Sequence, residues 1–122
     1  MNAQTSGWYH VMQVQFVQEG ERLVAQPKGR MEAADGRDFA AAVEQRLGAG
    51  TSSMTIDLAE LEFLNFGGIR AILRLARSLK DRHTELDFLA GSQPVRDALD
   101  QAGLDDFFPF MPPYEPKRGR PR

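Results

Sequence analysis

Ile56-Asp57-Leu58-Ala59-Glu60-Leu61-Glu62-Phe63-Leu64-Asn65-Phe66-Gly67-Gly68-Ile69 is the stretch on which the reading of the chain turns. The segment leading into it, Met54 to Leu58, is short and mostly apolar, as a strand covered on both faces should be. Beyond it, Ile69, Ile72, Leu73, Ala76 and Leu79 recur at helical spacing and predict a helix from about Gly68 to Lys80. A strand therefore passes through a short loop directly onto a helix N-terminus. Gly67 and Gly68 admit two readings: a tight turn alone, or a place where another backbone approaches and free N–H groups favour an anion or a partner's acceptor. Arg70, Arg74 and Arg77 form a basic stripe beside the apolar one. It reads either as a solvated face with ion pairs or as a surface that steers an acidic partner.

Outward from this centre the chain alternates strand and helix. From Tyr9 the residues alternate, with Met12, Val14 and Phe16 on the better-buried face, so a strand is expected there. Gln18-Glu19-Gly20-Glu21 is a turn, and Arg22 to Gln26 forms the second strand of an antiparallel hairpin. Phe39, Val43 and Leu47 place a helix over Asp35 to Leu47, with a cap in Ala33 to Asp35 and a stop at Gly48 and Gly50. Leu86 to Ala90 is a further strand. Ser92 and Pro94 open a third helix carrying Val95, Ala98, Leu99 and Ala102, which ends at Gly103. Leu104 to Phe110 is a last edge strand or a packing segment, and Pro109 argues against a central strand.

The order β-β-α-β-α-β-α implies an α/β fold: a mixed sheet of four to five strands, helices packed against it, and the hairpin strand at an edge. The sheet core is expected to hold Val14, Phe16, Ile56, Leu58 and Phe88. Phe39, Val43, Ile69, Ile72, Leu73 and Leu99 should come from the helices.

At 122 residues the chain is long enough for one self-sufficient domain. The expected division is a disordered N-terminus over 1–8, the domain over 9–111, and a flexible basic tail over 112–122. Without cysteine there is no disulfide, thiolate metal site or cysteine nucleophile. His10 and His83 are too few and too far apart for a metal site. No apolar run spans a membrane and MNAQTSGWYH is no secretory signal, so a cytoplasmic protein is expected.

The phosphate-loop, dinucleotide and Gly-x-Ser-x-Gly templates are all absent. Glu60, Glu62, Asp105 and Asp106 read as solvated acids, and His83 as a surface histidine at a helix end. No catalytic residue, metal or cofactor is assigned.

The charge is uneven. Four basic residues and Glu115 in the tail leave eleven basic against sixteen acidic residues in 1–114, a net −5, which argues against nucleic acid on the body. The tail itself, Pro116-Lys117-Arg118-Gly119-Arg120-Pro121-Arg122, carries the Arg-Gly-Arg-Pro core of an AT-hook. Arg118, Gly119, Arg120 and Pro121 are its candidate residues for weak, salt-sensitive binding in the minor groove of A·T-rich DNA.

The central stretch resembles the core of STAS domains, the fold of bacterial anti-sigma factor antagonists and of the cytoplasmic tails of sulfate transporters. Gly29-Arg30-Met31-Glu32 resembles the family's Gly-x-Leu-Asp before the first helix. Gly91-Ser92-Gln93-Pro94-Val95-Arg96 and Ala102-Gly103-Leu104 are similar to its segments around the third helix, so the likeness covers about residues 10–110.

Where that family has Asp-Ser-Ser-Gly, this chain has Asn65-Phe66-Gly67-Gly68. The resemblance places the family's phosphorylated serine at Gly67, which has no hydroxyl, and residues 61–72 contain no Ser, Thr or Tyr. It implies a non-catalytic protein-binding module whose partner is an anti-sigma factor, a kinase-like ATPase or a transporter subunit. The expected surface is Glu32, Asn65, Phe66, Gly67, Gly68, Arg70 and Arg74, with Phe66 as a candidate anchor if it does not fold back onto the core. Self-association is left open.

Overall fold

The computed structural model describes residues 12–48, 50–89 and 91–103, together with the backbone of 110–111. Gln13–Glu19 (β1) and Arg22–Met31 (β2) pair antiparallel and close at Glu19 and Arg22. Gly20 takes the first turn position at φ +61°, the left-handed geometry of a two-residue II′ turn. Tyr9 to Val11, the expected start of the strand, lie outside the described residues.

β2 continues to Met31, five residues past the expected end at Gln26. Pro27 suggested a stop because it cannot donate to a ladder. In the structure it stands between the part of β2 that pairs with β3 (Arg22 to Ala25) and the part that pairs with β4 (Gly29 to Met31). Hydrogen-bonded pairs alternate from the closing pair, so the Pro27 nitrogen faces away from β1 into this gap. No ladder bond is lost there.

Ala33–Arg46 forms α1, two residues earlier than expected, because Glu32 is the cap and its N–H donates to Asp35 Oδ2 at 3.0 Å. Ser53–Asp57 is β3. Leu61–Leu64 is β4, a strand missing from the expected order and too short to display a period. Phe66–Asp81 is α2, Glu85–Leu89 is β5, Gln93–Gln101 is α3, and Phe110–Met111 is β6.

The main sheet runs β1-β2-β3-β5-β6, parallel except for the hairpin, while β4 pairs in parallel with the far end of β2. β6 pairs in parallel beside β5, and of the expected segment Leu104 to Phe110 it contains only Phe110, the rest lying outside the described residues. This is a single α/β domain with a mixed sheet and three helices, as the order of elements implied.

One face of the sheet supplies Leu23, Ala25, Met54, Ile56 and Phe88 to a core completed by Phe39, Val43, Ile72, Leu75 and Leu79 from α1 and α2. Burying each of the larger of these side chains is worth roughly 2 kcal/mol. Ile56, Leu58, Phe88, Phe39, Val43, Ile69, Ile72 and Leu99 are buried as expected. Val14 and Phe16 are only half-buried, because β1 is an edge strand, and Leu73 is half-buried as well, while Leu75 on the same helix is in the core.

The alternate positions of β3 are polar and still buried. Thr55 Oγ1 accepts from Arg22 Nη1 at 2.7 Å and donates to Asp87 Oδ1 at 2.8 Å. Asp57 accepts from Gln26 Nε2 at 3.1 Å and from the Ala59 N–H at 3.0 Å. Each buried polar group thus has a partner, as burial requires.

Candidate functional site

The site follows from one register. Met31 ends β2 and lies opposite Leu64, which ends β4, so the next residues, Glu32 and Asn65, emerge side by side. Each caps a helix: Glu32 starts α1 and Asn65 starts α2. The Asn65 N–H donates to the Met31 carbonyl at 3.1 Å, and its Oδ1 accepts from the Gly68 N–H at 2.9 Å. That is the bond an Asn cap makes to the third residue of a helix. Asn65 to Gly68 is therefore no loop. Phe66, Gly67 and Gly68 are the first turn of α2, which begins two residues before the expected Gly68.

The glycines let two backbones meet. A Cβ at Gly68 would stand 2.6 Å from the Met31 carbonyl oxygen and 2.8 Å from Leu64 Cδ1. At Gly67 it would stand 2.5 Å from Ala33 Cβ and 3.0 Å from Ala33 Cα. Gly36 meets Ala71 in the same way, at 2.6 Å. Of the two readings of the glycine pair, the close approach of another backbone is the one observed: the end of β2 at Gly68 and the start of α1 at Gly67.

Between the two first turns lies a shallow groove of about 290 Å³. Ala33, Gly67 and Ala71 form its floor, Phe66 one wall, and Arg37, Arg70 and Arg74 its rim. Phe66 is 71% exposed and is the one large hydrophobic residue exposed among those described. The Arg70 guanidinium sits 5.3 Å from its ring centroid. Arg30 likewise lies 4.0 Å over the Phe63 ring, with its Nη2 3.5 Å from Glu32 Oε2. Arg37, Arg70, Arg74 and Arg77 make no ion pair among the described residues.

Of the expected surface, Phe66, Gly67, Arg70 and Arg74 come together in the groove. Glu32 and Asn65 stand at its edge as caps, while Gly68 is buried beneath the first turn of α2 and presents nothing to a partner. Arg77 lies outside the groove lining. Ala33, Arg37 and Ala71 were missed. Their signal was the small residue one helical turn from each neighbour (Ala33 with Gly36, Gly67 with Ala71), but only the β2–β4 register says that these faces meet.

His83 is exposed just past α2, with φ 60°. His10, Asp105, Asp106 and the tail residues Arg118, Gly119, Arg120 and Pro121 lie outside the described residues. Among the described residues no cluster of three or more potential ligands is placed to hold a metal, and no helix is long and apolar enough to cross a membrane.

A family model described as Mlab, STAS domain matches residues 14–112. Among solved structures the chain is similar to an anti-sigma factor antagonist from Mycobacterium paratuberculosis, at 20% identity and TM-score 0.74, over 84% of this chain and 86% of that one. It is similar to the anti-sigma factor antagonist SpoIIAA in its unphosphorylated form, at 18% identity and TM-score 0.67, over 86% and 90% of the two chains. The phosphorylated form of the Bacillus cell fate determinant SpoIIAA matches at 19% identity and TM-score 0.65, over 86% and 93%. No curated protein matches the chain.

Proposed function

The chain belongs to the STAS domain family over residues 14–112, and from that premise we propose that it is a non-catalytic regulatory module of the anti-sigma factor antagonist kind. It docks a protein partner, an anti-sigma factor or kinase-like protein, through the first turn of α2 and the facing turn of α1. Phe66 carries the reading. A helix start with 71% of a phenylalanine in water is stable only because the fold does not need that side chain, and exposed aromatics are the usual anchors of interfaces.

Two of its structural neighbours are SpoIIAA in unphosphorylated and phosphorylated form. In this chain the position that the resemblance assigns to the phosphoserine is Gly67, held 2.5 Å (for a Cβ) from Ala33. Neither an acceptor oxygen nor the space for one is present, which supports docking that is independent of phosphate on this segment. Control then lies in expression or in the partner.

The test is co-purification of the native partner with the wild-type chain and with Phe66→Ala. The variant should fold normally and bind at least about tenfold more weakly, the loss of a central aromatic anchor. Undiminished affinity in a folded Phe66→Ala would overturn the reading.

A further inference from the structure

We infer that the groove between α1 and α2 takes an acidic segment of a protein partner, its carboxylates clasped from both sides by Arg37 and Arg74. This rests on the docking reading above and adds the chemistry of what docks.

A surface cation finds its partners three or four residues away on its own helix. Around Arg37 those positions are Ala33, Ala34, Ala40 and Ala41, all without charge. Around Arg74 they are Arg70, Ala71, Arg77 and Ser78, and around Arg70 they are Phe66, Gly67, Leu73 and Arg74. None is a carboxylate, and Arg70 and Arg74 repel each other at i, i+4. Elsewhere Arg22, Arg30 and Arg82 are matched to Asp87, Glu32 and Glu44, while Arg46 and Arg77 stand singly, without an ion pair among the described residues. Two helices thus bring unmatched cations to opposite sides of one groove, in a body whose net charge over residues 1–114 is −5. The positive end of α2, whose first turn carries no acidic residue, opens on the same place, while that of α1 is already met by Glu32 and Asp35.

The occupant is a short acidic peptide segment rather than a nucleic acid, because a long polyanion on this patch would also meet the acidic body around it. An inorganic anion is disfavoured for another reason. The arginines are exposed, and no buried polar side chain is among those lining the groove. The small floor at Ala33, Gly67 and Ala71 leaves room for an inserted side chain, with Phe66 beside it.

The isotope-labelled full chain should be titrated with two helical peptides that differ only in carrying Glu or Lys around a central Leu, following backbone amide signals. The Glu peptide should shift Ala33, Gly67 and Ala71 saturably and lose about tenfold in affinity between 50 and about 300 mM salt, while the Lys peptide leaves them in place. Arg37→Ala and Arg74→Ala should each weaken the Glu peptide by about fivefold, whereas Arg77→Ala, outside the groove, stays within about twofold. Equal binding of both peptides, no binding of either, or an Arg77→Ala loss as large as that of Arg37→Ala would overturn the proposal. So would inorganic phosphate or an A·T-rich duplex producing the same shifts.

The native partner separates the two readings. If Phe66→Ala loses that partner while Arg37→Ala and Arg74→Ala keep it, docking stands and the acidic occupant falls. If Phe66→Ala keeps the partner at full affinity, the docking reading itself fails.

Discussion

Phe66 leaves most of its ring in water, so its removal forfeits little of what folding gains. Phe66→Ala should shift thermal unfolding by no more than about 2 °C, measured by calorimetry, since surface changes stay within a few tenths of a kcal/mol. Thr55 is the opposite case. Its hydroxyl, 1% exposed, both accepts from Arg22 and donates to Asp87. Thr55→Val keeps the shape but removes both bonds, and should cost about 1–3 kcal/mol in urea unfolding, with Thr55→Ser losing less. Sequence alone could not rank these two residues. The exposure of Phe66 depends on α2 starting at residue 66, and the burial of Thr55 depends on the strands at its sides.

At the level of elements, α1 and α2 are spaced by what Gly36 and Gly67 lack. Helix propensity would favour Gly67→Ala by about 1 kcal/mol. The new Cβ, 2.5 Å from Ala33 Cβ, forces a wedge between the helices that costs about 1–3 kcal/mol. Net destabilisation is expected, and Ala33→Gly should recover part of it, giving a coupling energy in a double-mutant cycle that two independent sites would not show. The other end of α2 invites the reverse change. His83 ends the helix in the left-handed region at φ 60°, which costs an L-residue roughly 1 kcal/mol or more. His83→Gly should raise stability by up to about 1 kcal/mol, less what added unfolded-state entropy takes back, as read in denaturant midpoints.

For the whole molecule, the alternation of strand and helix was legible because α2 carries a clear apolar period, β3 reads as a short apolar run, and α1 is stopped by glycine. β4 and the far half of β2 were not. Their pairing is a long-range register, between Gly29 to Met31 and Leu61 to Leu64, that no local pattern announces. The groove shares that blind spot: Phe66, Arg70 and Arg74, singled out from the sequence, line it from α2, while its α1 half depends on the unseen register. The tail belongs at this scale too. Truncation after Pro112 keeps β6 and should leave the midpoint of unfolding within about 2 °C, since the removed residues lack apolar periodicity. Any low-salt shift of A·T-rich DNA by the full chain should vanish in the truncated one; a shift that persists would place that binding on the body.

The contact between Ala33 and Gly67 also constrains how this lineage can change. A serine at 67 is one substitution away in the protein, yet its Cβ collides with a methyl group on another helix. A hydroxyl at 67 cannot come first without a loss of stability, whereas a glycine at 33 can come first because it only removes atoms. Any path to a serine on this turn therefore has an order, position 33 before position 67. As long as alanine stands at 33, selection acting one step at a time keeps a side chain off position 67.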